Sequence, residues 1–116
     1  MLLRRLMGVS ATALLLGTAH AHHGWSEYDD RTVLTLTGLI KQAGYEHPHG
    51  HIMLDVDGKV WHVVLAPPSR MENRGLSAAA LKAGNKATVV AYPNRSKPEE
   101  ARAERITVNG KTVELR

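Results

Sequence analysis

Apolar and polar residues alternate along much of this chain. In the first clear stretch, Leu34, Leu36, Gly38 and Ile40 share one parity, and threonines lie between them. This period of two predicts half-buried strands, because successive side chains of a strand point to opposite faces of a sheet. Gly38 lies inside the long first strand, where a missing side chain allows the sharp bend that closure of a barrel requires.

A second alternating stretch separates an apolar inner face from a polar outer face. The inner residues are Ile52, Leu54 and Val56, and the outer residues are His49, His51, Met53 and Asp55. Asp57-Gly58 then separates this stretch from the run 59–66 by two residues. Such a loop favours a type I′ turn, because both of its residues tolerate positive φ. We therefore expect the second and third strands to form an antiparallel hairpin.

A break in the strand pattern follows. Pro67-Pro68 ends the third strand, since proline cannot continue a sheet ladder, and a loop is expected over residues 70–75. Ser77 is expected to cap a short helix over residues 78–82, and Gly84 to end it.

The alternating pattern then returns. Residues 86–92 predict a fourth strand, which Pro93 ends. Residues 103–108 and 111–115 flank Asn109-Gly110, a second two-residue hairpin signal. Three strands, a short helix and further strands are the order of a small OB-like Greek-key β-barrel. The fold class is therefore all-β with one short helix, and a generic β-sandwich or open sheet is the alternative.

The amino-terminal segment predicts export. Arg4 and Arg5 are followed by a short apolar run over residues 6–17 and by the small-x-small sequence Ala19-His20-Ala21. This arrangement is typical of a cleaved signal peptide, and the apolar run is shorter than the roughly 20 residues that span a bilayer. We expect residues 1–21 to be the signal peptide and the protein to be periplasmic or secreted.

The mature chain, residues 22–116, has the size of one domain. Removing 21 of the 116 residues leaves 95, and the formal charge falls from +4 to +2 because both lost charges are arginines. This small charge and only five aromatic residues give no case for nucleic-acid binding. The absence of cysteine excludes disulfides, thiolate metal sites and thioether-linked haem.

Histidines are the strongest chemical lead. Cleavage after Ala21 would give His22 a free α-amine, which together with its imidazole chelates a divalent metal. On an extended strand His49, His51 and Met53 would form an outward row of nitrogen and thioether ligands. The candidate metal ligands are His22, His49, His51, His23 and Met53, and copper is preferred over zinc or nickel.

The same histidines have a simpler interpretation. A histidine-rich terminus can be a solvated arm, and alternating histidines on an exposed strand face need not bind anything. His62, on the third strand with Val60 and Val64, is expected to be a histidine satisfied by its neighbours.

A second candidate site is basic. Arg70 and Arg74 lie in the expected loop before the helix, and a guanidinium can bind carboxylate or phosphate groups in a bidentate fork. These two arginines are the candidate residues for an anionic ligand. The alternative is that they pair with glutamates on a solvated rim.

Several motifs also resemble a family of small exported bacterial proteins known only as a domain of unknown function, DUF6152. They are His22-His23-Gly24-Trp25-Ser26-Glu27-Tyr28-Asp29, Leu36-Thr37-Gly38, Pro48-His49, Leu65-Ala66-Pro67-Pro68-Ser69-Arg70-Met71 and Arg74-Gly75-Leu76. The likeness runs over nearly the whole mature chain, although the family usually has asparagine where this chain has His47. It implies export and a small β-barrel, and it implies no mechanism.

The sequence therefore predicts an exported single-domain binding module with a copper site at its amino terminus and second strand. The alternative is a metal-free interaction module that binds a periplasmic protein, a glycan or a small anionic ligand. An enzyme is the least favoured class, because no nucleophile–base set, glycine-rich phosphate loop or HExxH helix is present.

Processing gives the first testable prediction. We expect cleavage after Ala21, so that the mature protein begins at His22, and intact-mass measurement of a periplasmic extract checks this. Gly17-Thr18-Ala19 is the competing site, and cleavage there would leave His20 first. A protein that retains residues 1–21, or that remains in the cytoplasm, would contradict both export and the amino-terminal chelate.

Overall fold

The computed structural model describes residues 24–116, and in this range the chain forms six strands, one α-helix and two 3₁₀ turns. The strands are β1 (Leu34–Gly44), β2 (His51–Val56), β3 (Lys59–Val64), β4 (Lys86–Pro93), β5 (Glu100–Val108) and β6 (Lys111–Glu114). The helix α1 spans Pro68–Asn73, and the 3₁₀ turns span Trp25–Glu27 and Ala78–Leu81.

Five of these strands close into a barrel. The sheet runs in the order β3-β2-β1-β4-β5-β6, and β3 also pairs with β5, which joins the two ends of the five-stranded part. The β3–β5 pairing is parallel, whereas the other pairings are antiparallel. This order, with α1 between β3 and β4, is that of an OB-like Greek-key barrel, so the predicted fold class is confirmed.

The interior of the barrel is filled by the apolar faces of the alternating strands. Its largest fully buried strand residues are Ile40, Ile52, Leu54, Val63, Val89 and Ile106. Met71 of α1 and Leu81 of the second 3₁₀ turn are also fully buried and belong to the same core. The segment between β3 and β4 therefore belongs to the barrel's hydrophobic core.

Gly38 lies where β1 is crowded by its neighbours. A Cβ atom at this position would collide with the backbone carbonyl of Asp55 on β2. Shortly after it, the β1–β2 register shifts between Ile40 and Gln42, which marks a bulge. A bulge bends the strand that carries it, so β1 has the features that the sequence predicted for a closed barrel.

The predicted helix is displaced in the chain. Residues 70–75 were expected to form a loop, but α1 begins at Pro68 and is followed by Gly75 at φ +83°. Proline suits the first turn of a helix because its missing N–H needs no partner there, so Pro68 begins α1, whereas β3 ends earlier, at Val64. The segment over residues 78–82 forms a 3₁₀ turn, and Ser77 makes no side-chain cap hydrogen bond.

Both predicted hairpins are present. Asp57 and Gly58 have φ values of +52° and +87° and join β2 directly to β3. Asn109 and Gly110 have φ values of +53° and +74° and join β5 to β6 in the same way. These left-handed conformations are the reason that asparagine, aspartate and glycine occupy the turns.

Substitution of Gly58 tests the first of these turns. No atom lies within 4 Å of a Cβ built on Gly58, so only backbone strain would oppose a side chain there. Gly58→Val should cost about 1–2 kcal/mol, because a β-branched residue is disfavoured at positive φ. Gly58→Asn is the matched control and should cost less. Thermal unfolding of the three proteins measures this, and equal melting temperatures would contradict the assigned turn.

Candidate functional site

A cavity of about 290 Å³ opens on the outside of the barrel, where β2 and β3 meet the loops that follow β1 and β4. In OB-like barrels the face of strands two and three, together with the β1–β2 and β4–β5 loops, is the part that binds ligands. The polar and charged side chains that line this cavity include His49, His51, His62, Lys97, Glu100 and Arg102.

The hairpin register brings two of the histidines together. Because only two residues separate β2 from β3, Met53 pairs with His62 and His51 pairs with Val64. His51 and His62 are therefore diagonal neighbours on the outer face, and their ring centroids lie 5.3 Å apart with nearly perpendicular planes. His62 was not expected beside His51 from the alternating pattern, although the register of the Asp57-Gly58 turn already implied that they are neighbours.

The His51 imidazole rests over a glycine. Gly44 of β1 is the cross-strand partner of His51, and a Cβ on Gly44 would overlap the imidazole. The missing side chain at Gly44 thus leaves the space in which the ring of His51 lies.

Glu100 faces His62 across the parallel β3–β5 pairing. The Nδ1 atom of His62 lies 3.5 Å from Oε1 of Glu100. The other carboxylate oxygen accepts a hydrogen bond from the Tyr28 hydroxyl at 3.0 Å and one from the Asn94 amide at 2.8 Å. With 12% of its side chain exposed, Glu100 is held in place by these groups.

Burial changes the acid–base behaviour of both partners of Glu100. Burial lowers the pKa of His62, and the positive charges of His51 and Lys97 lower it further. The Glu100 carboxylate acts in the opposite direction and raises this pKa. Burial, followed by the hydrogen bond to Glu100, raises the pKa of Tyr28 to about 12, so its hydroxyl stays protonated. His62 is therefore protonated less readily in the folded protein than in the unfolded chain. Its contribution to the free energy of unfolding is fully present above about pH 6.5, and it is lost as the pH falls through the pKa of the folded state.

A buried arginine connects His49 to the amino-terminal segment. Nη2 of Arg102 lies 3.4 Å from Nε2 of His49, and only 6% of Arg102 is exposed. The guanidinium of Arg102 also stacks 4.3 Å from the centre of the Trp25 ring, which Arg116 contacts as well at 4.5 Å. Trp25 therefore packs the amino-terminal segment against the barrel.

The amino-terminal arm, which we define as residues 24–29, continues along the end of β4. The Asp29 amide donates to the Pro93 carbonyl, and the Arg95 amide donates to the Glu27 carbonyl, both at 2.9 Å. Arg95 Nε donates to the Ser26 carbonyl at 3.1 Å. Through Glu27 and Tyr28 this arm lines the cavity.

The predicted metal ligands are distributed unevenly. His49 and His51 line the cavity, and Met53 lies opposite His62 on the neighbouring strand. His22 and His23 lie outside the described residues. Among residues 24–116, no three His, Cys, Asp or Glu side chains are grouped closely enough to hold a metal ion by themselves.

The predicted anion-binding arginines lie elsewhere and contact the carboxyl-terminal segment. Arg70 Nη1 donates to the Leu115 carbonyl at 3.0 Å. Arg74 Nη1 donates to the carbonyls of Glu114 and Arg116 at 2.7 and 3.2 Å. These contacts attach the end of the chain to α1, and neither arginine lines the cavity. Glu100, Lys97 and Tyr28 line the cavity, although no motif in the sequence assigned them to a site.

Comparison with known families identifies the chain more closely. The model of a family of unknown function, DUF6152, matches residues 11–113. This chain belongs to that family. No curated protein matches it.

One similar solved structure is a chain in the crystal structure of a complex of TiaS with transfer RNA and ATP, at 16% identity and a TM-score of 0.52. The match covers 77% of this chain and 20% of that chain, and at this identity it bears on the fold alone. Within the described part of the chain, no helix is long and apolar enough to cross a membrane.

Two charged neighbours of His62 act on its pKa in opposite directions, so we expect their removal to shift this pKa in opposite directions. Glu100→Gln should lower the pKa of His62 further, because the carboxylate favours the protonated imidazole. Lys97→Gln should raise it, because the ammonium disfavours that form. NMR titration of the His62 ring in metal-free protein measures both changes. Shifts of the same sign, or none, would show that neither charge acts on this imidazole.

Proposed function

We propose that this is an exported, periplasmic copper-binding protein whose metal lies at the edge of the cavity. The amine and imidazole of His22, together with His49, are its main ligands, and His51, Met53 and His23 are supporting ligands. One observation carries the proposal, namely that the amino-terminal arm is attached beside the cavity that His49 and His51 line.

The length of the chain supports a contact between the two groups of ligands. Trp25 stacks on Arg102, and Arg102 contacts His49. His22 precedes Trp25 by three residues, and an extended chain spans at most about 3.3–3.6 Å per residue. A tether of three residues is therefore at most about 10 Å long, which we propose is enough to bring the amine of His22 to the residues that Trp25 contacts.

The donor types favour copper. An α-amine and imidazoles suit Cu(II), Ni(II) and Zn(II), and Cu(II) is bound most tightly of these by a given set of ligands. The Met53 thioether, beside His62, adds a soft donor of the kind that selects Cu(I). Zinc and nickel therefore rank behind copper as metals for this site.

A small anionic ligand is the second candidate, and a metal-free module could also bind a protein or a glycan. The observation in its favour is that Arg102 and Lys97 both line the cavity. Arg70 and Arg74 give it less support, because their guanidiniums contact the carboxyl-terminal carbonyls. In this case the cavity should bind phosphate or a carboxylate without any metal.

Copper titration of four proteins tests the first candidate. They are the mature protein beginning at His22, the same protein with its α-amine acetylated, His49→Ala, and His47→Ala. Acetylation removes the free amine without creating a new one, so it and His49→Ala should each weaken Cu(II) binding by about tenfold or more, since even the loss of a group that only orients a ligand costs about 10–100-fold. Competition with a chelator of known affinity gives the values.

His47→Ala is the matched control, because His47 is exposed and lies two residues from His49 outside the cavity lining. It should leave the affinity unchanged. Equal, weak binding by all four proteins would mean that the histidines form a solvated arm, and the anionic-ligand function would then take first place.

A further inference from the structure

The two nitrogens of the His62 ring have different surroundings. Nδ1 faces the carboxylate of Glu100 at 3.5 Å, which favours a proton on this nitrogen. The proton on Nδ1 leaves the lone pair on Nε2, on the other side of the ring. A carboxylate behind a histidine is the arrangement that fixes the tautomer and orientation of metal-binding imidazoles.

Glu100 makes further contacts besides its ion pair with His62. Tyr28 and Asn94 both donate to the carboxylate oxygen that does not face His62. Tyr28 is 5% exposed, so this support comes from a buried side chain of the amino-terminal arm. The orientation of His62 is thus linked, through Glu100, to the arm that follows His22.

A second imidazole lies next to His62. The rings of His51 and His62 meet edge to face with centroids 5.3 Å apart, and both residues line the cavity. The space over Gly44 accommodates the His51 ring. Two imidazoles on adjacent strands therefore border one side of the cavity, and Met53 is the cross-strand partner of His62.

From this geometry we propose that Nε2 of His62 is a ligand of the metal bound in the cavity, together with His51, and that Glu100 is a positioning residue for His62. The inference rests on the proposed copper function and adds His62 and Glu100 to its site. His62 and His51 therefore join the ligands proposed above, His49 included, because residues 24–116 hold no group of three such side chains that binds a metal ion by itself.

The test uses the mature protein beginning at His22, Cu(II) alone as the probe, and the variants His62→Gln, Glu100→Gln and His47→Ala. His62→Gln should lower the Cu(II) affinity by at least about tenfold, and Glu100→Gln by about 10–100-fold, the range found for groups that orient metal ligands. His47→Ala should leave it unchanged. Electron paramagnetic resonance should show one fewer coordinated nitrogen for His62→Gln and the native number for Glu100→Gln.

A measurement on the unaltered protein covers the case in which a variant does not fold. Substoichiometric Cu(II) should broaden the NMR signals of the His62 and His51 rings before those of His47. The assignment of His62 would be overturned if His62→Gln bound Cu(II) as tightly as the native protein, or if Cu(II) bound without broadening the His62 signals. The proposed function would then still stand. Failure of the native mature protein to bind Cu(II) would overturn both.

Discussion

The parallel pairing of β3 with β5 is the contact on which both the fold and the candidate site depend. It closes the sheet into a barrel, so that the apolar faces of all five strands enclose one core. The same pairing sets His62 beside Glu100 and Val64 beside Arg102. The strand contact that buries the core therefore also brings a carboxylate and a guanidinium to the histidines of β2 and β3.

The amino-terminal arm packs against the same strand, β5, that pairs with β3. The guanidiniums of Arg102 and Arg116 both stack on Trp25, and Tyr28 reaches Glu100 from a buried position. Such stacking and buried hydrogen bonding order a short segment that has no long helix or strand of its own. Residues 24–29 are thus part of the folded domain, and Glu27 and Tyr28 line its cavity.

Local patterns in the sequence predicted the hairpins well and the site only in part. Asp57-Gly58 has few alternatives to a type I′ turn, and that turn determines which residues of β2 and β3 are neighbours. The start of α1 was missed because Pro68 suits both the end of a strand and the first turn of a helix. The place of Glu100 in the cavity depends on a pairing between distant strands, which no local period encodes.

We propose that a copper ion lies between the amino terminus and the histidines of β2 and β3. A crystal structure of the copper-loaded mature protein, with anomalous scattering measured at the copper edge, tests it most directly. We expect an anomalous peak in the cavity, bonded to the amine and ring of His22 and to the imidazoles that line the cavity. A cavity without such a peak, or copper only at the exposed His47, would contradict it.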